Sequence, residues 1–210
     1  MSGRMRRILA IVAMGVWLAG CGALEPRADP SSYYILAALP EADFAADNNT
    51  AGVKANFSVG LGPVELPAYL ERQQIATRTS TNRLSYSETD RWAAPLAESF
   101  SSVLGQNIAH LLNTARLIPF PWQSIDAPDY QLKIEVLQFE ATSNQEAWLT
   151  ARWSVIDRNK KILLDQRLAL KRRASSLSTE DFVKALSATV GELSREIVKT
   201  LQTLDKQGKP

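Results

Sequence analysis

Tyr130–Arg173, YQLKIEVLQFEATSNQEAWLTARWSVIDRNKKILLDQRLALKRR, reads as three long strands in succession. Tyr130, Leu132, Ile134 and Val136 fall on one side of the first strand. The apolar rhythm then slips at Leu137 and Phe139, the signature of a bulge. The second strand alternates too, with Leu149, Ala151, Trp153 and Val155 on one side. DRNKK at 157–161 is a polar turn into a third strand, on which Ile162, Leu164, Leu168 and Leu170 share a face. Strands that alternate and are joined by short polar turns predict an antiparallel meander with one side buried.

Something must cover that side, and the flanking sequence supplies it. Downstream, Phe182, Leu186, Val190, Leu193, Ile197, Leu201 and Leu204 recur at helical spacing and form a narrow seam. Ser178 is the expected N-cap, with Asp181 three residues later in an approximate capping box. The seam reads as a core helix lying on the sheet; its near-heptad period also suits packing against another subunit. Upstream, apolar residues from Trp92 to Leu112 predict another amphipathic helix ending about Thr114, with Pro95 in its first turn and Trp92 in the core.

Before that helix come shorter elements. SSYYILAAL predicts a strand at 32–38, and residues 40–55 have no clear period and read as a loop. FSVGLGPVEL predicts a strand in which Gly60 and Gly62 mark a bulge or a close backbone approach. LPAYLER at 66–72 fits a single helical turn. QQIATRTS and RLSYSE fit a hairpin turning at Thr81-Asn82. The predicted fold class is α+β: a single domain with an antiparallel β-sheet and two long amphipathic helices packed on it.

The N-terminus has another grammar. Arg4, Arg6 and Arg7 precede an uncharged run from Ile8 to Gly20, ILAIVAMGVWLAG, and then Cys21, the only cysteine in the 210 residues. As a helix the run spans about 20 Å, short of a hydrocarbon core of roughly 30 Å, and its layout is that of a secretory signal. Leu18-Ala19-Gly20-Cys21 resembles the lipobox of bacterial lipoproteins. That resemblance implies cleavage before Cys21, a diacylglyceryl group on its sulfur and, in Gram-negative bacteria, a further acyl (palmitate-type) chain on the new amino terminus. Two or three chains make such anchorage stable. Gly22 at the following position implies sorting to the outer membrane. The expected organisation is 1–20 signal peptide, 21–30 acylated N-terminus and tether, 31–206 α+β domain, and 207–210 tail.

Charge excludes one class of partner. The formal net charge of +2 includes the three leader arginines, so the remaining chain holds 21 basic and 22 acidic side chains. It has no general pull toward phosphates, and no nucleic-acid partner is expected. Catalytic and metal chemistry is equally thin. His110 is the only histidine, too few for a histidine-rich metal site, and Cys21 is committed to lipid. No nucleophile elbow, phosphate loop or zincin helix occurs. Glu88 with Asp90 and Glu140 with Glu146 are carboxylate pairs near strand ends, expected to be solvated, and the basic run Lys171, Arg172, Arg173 fits either a solvated strand end or an anionic surface contact. The chain is therefore expected to be no enzyme, to hold no metal, and to need no cofactor beyond the covalent groups on Cys21. A carboxylate-dependent hydrolase is the weakest alternative.

Val59 to Leu112 carries a second resemblance. V-G-x-G-P-V at Val59–Val64, L-P-x-Y-L at Leu66–Leu70, a strand with Gln74-Ile75 and Thr77-Arg78, and R-W-x-x-P-L at Arg91–Leu96 occur in the order seen in the PqiC/YmbA family of ABC-type transport auxiliary lipoproteins. After Asp126 the likeness is one of pattern. The resemblance implies a non-enzymatic outer-membrane lipoprotein facing the periplasm. It would serve a Pqi-type or Mla-like ABC lipid transport system by docking an MCE-domain protein and its inner-membrane transporter. Since MCE proteins form rings, symmetry points to a homo-oligomer, a ring, of this chain as well. In L-P-x-Y-L, Pro67 stiffens the backbone while Leu66, Tyr69 and Leu70 offer apolar area, either to a docking partner or to the sheet edge. The alternative is a free-standing periplasm-facing lipoprotein that binds lipid or helps assemble the envelope.

Overall fold

A computed structural model describes residues 29–46, 55–114, 116–122 and 127–208. Cys21, the leader and most of the tether lie outside the described residues, as does 47–54 of the expected loop. The chain divides into two units, 1–30 and 31–210. Of the first, only Asp29 and Pro30 are described, both exposed. The second holds every helix and strand among the described residues.

Its elements in chain order are β1 (Ser32–Tyr34), α1 (Glu41–Ala46), β2 (Val59–Glu65), a 3-10 turn (Ala68–Leu70), β3 (Gln74–Ser80), β4 (Arg83–Trp92), α2 (Leu96–Leu111), β5 (Leu117–Pro119), β6 (Tyr130–Thr142), β7 (Glu146–Asp157), β8 (Ile162–Arg173) and α3 (Thr179–Lys206). The α+β class stands, with an eight-stranded sheet among the described residues. The meander is antiparallel throughout, β6 to β7 and β7 to β8. Elsewhere the sheet is mixed, because β1–β4, β2–β5, β2–β6 and β3–β6 are parallel pairs. Residue periodicity reports which face a strand buries, not the direction of its neighbour, so these pairings were not legible beforehand.

The organising strand is β6. One edge pairs along its length with β7. The other edge is shared end to end: β2 runs beside Tyr130–Glu135, and β3 beside Ala141 and Thr142. β2 and β3 thus behave as one interrupted strand, with residues 66–73 leaving the sheet between them. The phase slip read at Leu137 is real, since the β6–β7 register shifts between Val136 and Gln138. It keeps Phe139 and Ala141 in the core, where Phe139 meets Phe100 edge-to-face at 5.3 Å. It also sends Glu140 to the opposite face.

All the seam residues of α3 are buried within the chain itself, as the core-helix reading requires. The Ser178 hydroxyl accepts from the Asp181 N–H at 3.2 Å, closing the helix start. α2 begins at Leu96 after Pro95, and Trp92, although buried, ends β4 instead of starting the helix. The strand expected at 32–38 shortens to β1. Residues 36–39 then cross the helices: Ala37 N–H donates to Ser187 Oγ and Leu39 N–H to Asn107 Oδ1, at 3.1 and 2.8 Å. Gly191 lets Leu39 in, for a Cβ there would lie 2.4 Å from Leu39 Cδ2. The stretch expected to be loop holds α1, whose Glu41 and Asp43 suit a helix N-terminus. Six residues are too few to show a helical period.

Candidate functional site

Two places concentrate chemistry: the excursion at 66–73 and a groove between α2 and the sheet edge.

The excursion leaves β2 at Leu66. Pro67, extended at φ −67 and ψ 144, opens a single 3-10 turn closed by Leu70 N–H to Pro67 O at 2.9 Å. The turn is pinned from beneath by Glu140, whose side chain is fully buried. Oε2 accepts the Tyr69 hydroxyl at 2.6 Å and the Phe139 N–H at 3.2 Å; Oε1 accepts Arg78 Nε–H at 2.6 Å and Gln138 Nε2–H at 2.9 Å. Each of these four groups is a donor, the condition under which a buried charge is tolerated. Burial, then the bond to Glu140, raises the Tyr69 phenol far above its ordinary value, so it remains a donor. Burial works against the Arg78 charge, yet Glu140 outweighs it and the guanidinium is held more firmly protonated than usual. Tyr86 adds two further ties, its hydroxyl donating to Tyr69 O at 3.2 Å and its ring lying 4.9 Å from the Arg72 guanidinium.

This geometry corrects two expectations. Glu140 is no solvated carboxylate, and it does not pair with Glu146, which accepts the Trp148 indole N–H at 3.0 Å. The phase slip at Leu137 was the available signal, because it moves Glu140 off the core face that Phe139 and Ala141 occupy. Leu70, expected at a docking surface, is only 4% exposed, and Tyr69 and Leu66 pack against the core. The exposed tip is Ala68, Glu71, Arg72 and Gln73, with Pro67 half-buried beside it.

The basic run is divided by strand alternation. Lys171 stacks over Trp148, its Nζ 4.2 Å from the ring centroid, whereas Arg172 pairs with Glu192 of α3. Arg173 is exposed opposite Glu146. Of the carboxylates Glu88 and Asp90, Glu88 is exposed and Asp90 accepts the Thr179 hydroxyl at 2.6 Å. His110 is exposed near the end of α2. No group of three or more metal-ligating side chains occurs among the described residues, and none of their helices is long and apolar enough to cross a membrane.

The groove was not anticipated. It has a volume of about 690 Å³ and lies between α2, the end of β2, and β5 with Phe120. Gly62, at φ +130, shapes its floor: a Cβ there would sit 2.6 Å from Phe120 Cβ. Phe120 is 53% exposed and meets Trp122 edge-to-face at 5.2 Å. Sequence reasoning found the glycines but not the cavity, since its walls come from separate elements.

Fold and sites together define an α+β domain with one buried polar network shaping the excursion and a largely apolar groove beside α2. The sequence model for the ABC-type transport auxiliary lipoprotein component matches residues 38–198. The chain belongs to that family, and the match extends through the meander and most of α3. It is therefore a member of a family of auxiliary lipoproteins of ABC-type transport. Among solved structures, an uncharacterized protein matches with a TM-score of 0.67 at 18% identity, covering 81% of this chain and 98% of its own. A Xanthomonas campestris protein of family DUF330 matches with a TM-score of 0.67 at 15% identity, covering 85% of this chain and all of its own. At such identities the likeness speaks for the fold. No curated protein sequence matches the chain.

Proposed function

We propose that this chain is a non-enzymatic lipoprotein held at the outer membrane through acyl groups on Cys21. It faces the periplasm and joins an MCE-type lipid transport system, Pqi-type or Mla-like, to that membrane. The observation that carries this reading is the family match from 38 to 198 in a chain whose N-terminus runs from arginines through an apolar stretch to L-A-G-C. The fold suits a tethered part: residues 36–39, early in the domain, are bonded to both long helices, so tension is delivered to the core. The docking element is the 66–73 excursion, presented through Pro67, Ala68, Glu71 and Arg72, with Leu66, Tyr69 and Leu70 supporting it from within. Lys171 and Arg173 supply a secondary contact to anionic surfaces. Copies of the chain assemble in a ring to match the MCE ring.

Affinity purification of the full-length acylated protein from envelope extract tests the reading. Wild type should recover an MCE-domain protein, Ala68→Glu with Glu71→Lys should lose it while keeping thermal stability, and Cys21→Ala should release the protein from the outer membrane. Recovery unaffected by the tip substitutions would remove the excursion from the interface; no MCE protein in the wild-type sample would overturn the reading.

A further inference from the structure

We propose that the groove beside α2 holds one hydrocarbon chain of a phospholipid whose headgroup carries an ammonium group. The inference rests on the lipid-transport reading above and names a ligand within it.

Size argues first. About 690 Å³ falls inside the ~300–1,000 Å³ range of small-molecule sites. Wall chemistry argues second. Leu61, Val64, Leu117 and Phe120 present hydrocarbon. Pro63 and Pro119 have no N–H to offer, and the Leu61 carbonyl already accepts the Phe120 N–H at 3.0 Å. A peptide strand laid here would find few backbone donors among these walls, whereas an alkyl chain asks for no partner. Charge argues third. Glu98, exposed on the first turn of α2, is the only charged side chain among the described residues that line the groove. A lone carboxylate at the rim attracts the ammonium of a zwitterionic headgroup and opposes phosphatidylglycerol or a free fatty acid. The Ser101 hydroxyl lies along the same rim with Ser102 and Gln106, whose amide N–H donates to the Ser102 hydroxyl at 3.1 Å and leaves its own carbonyl and the Ser102 O–H for a polar headgroup.

The test is equilibrium binding of phosphatidylethanolamine with a pyrene-labelled acyl chain to the full-length acylated protein in a fixed detergent, with pyrene-labelled phosphatidylglycerol alongside. Wild type should bind the former saturably, one per chain, and at least about tenfold more tightly than the latter. Ser101→Trp, which fills the groove from a half-exposed position, should weaken binding about tenfold or more; Gln106→Trp does so from the exposed rim should the first variant be unstable. Glu98→Gln should erase the preference between the two lipids by strengthening phosphatidylglycerol binding and weakening phosphatidylethanolamine binding. Absence of saturable binding, or binding indifferent to both tryptophan variants, overturns the proposal. So does a tryptophan variant that retains lipid but loses the MCE protein, which would make the groove a protein seat. Equal wild-type affinity for both lipids overturns the headgroup assignment. Lipid binding without recovery of an MCE protein would refute the transport reading while leaving the groove assignment standing.

Discussion

The two edges of β6 are built on different principles. On the β7 side, strands pair residue by residue for the whole length, and the buried face is an alternation of Leu, Ala, Trp and Val under α3. On the other side, two short strands share one edge, and the break between them is held by a single carboxylate with four donors. Non-directional apolar burial suffices for the first. A chain that must leave a sheet and return to it needs directional bonds at a defined point, and Glu140 provides them. The meander side makes the fold; the forked side carries the excursion and the groove.

The contrast can be broken most severely on the meander side. Leu193 is fully buried in the α3 seam, and Leu193→Ala should cost about 2–5 kcal/mol across the whole domain. In a denaturant titration every probe should shift together; a loss confined to α3 would mean that helix and sheet are separate cooperative units. A smaller and more local effect is expected from Tyr69→Phe, which deletes one donor to a buried carboxylate and keeps the ring. A hydrogen bond to a charged group contributes about 1.5–3 kcal/mol. Hydrogen exchange should accelerate at residues 66–73 more than in β7 or α3, and uniform acceleration would show that the lock is not local.

The smallest effect sharpens where the fork begins. Asp129 is partly buried, which alone would raise its pKa, yet bonds from the Ser58 N–H and hydroxyl, each 2.7 Å, and the nearby Arg158 and Arg116 hold it below the usual carboxylate value. A depressed folded-state value means that stabilisation is full above the unfolded value of about 3.9 and disappears as pH falls through the folded one. Thermal stability measured downward from pH 6 should therefore decline below about pH 4, with a shallower decline in Asp129→Asn. Identical slopes in the two proteins would assign the acid sensitivity elsewhere.

Much of the meander side could be read directly. The alternation from Tyr130, the slip at Leu137 and the seam from Phe182 each describe one element burying one face, and periodicity records that. Ser178 announced the start of α3 within a residue, whereas α2, read from Trp92 with Pro95 in its first turn, begins only after Pro95. The excursion could be read in outline, because Pro67 and the change of rhythm mark it, but its orientation could not. L-P-x-Y-L shows that apolar area is available and says nothing about which side of the chain will be covered.

Sequence by itself thus determined the α+β class, the strands of the meander, the two long helices and, through L-A-G-C and the ordered motifs from Val59 to Leu96, the family. These depend on local periods and on short contiguous patterns. Tertiary structure decided that β2 and β3 share one edge of β6, that Tyr69 turns inward to Glu140, that Arg172 parts company with Lys171 and Arg173, and that β2, β5 and α2 enclose a groove. Each of those depends on residues brought together from separate elements, and a buried charge or a cavity exists only once its walls are in place.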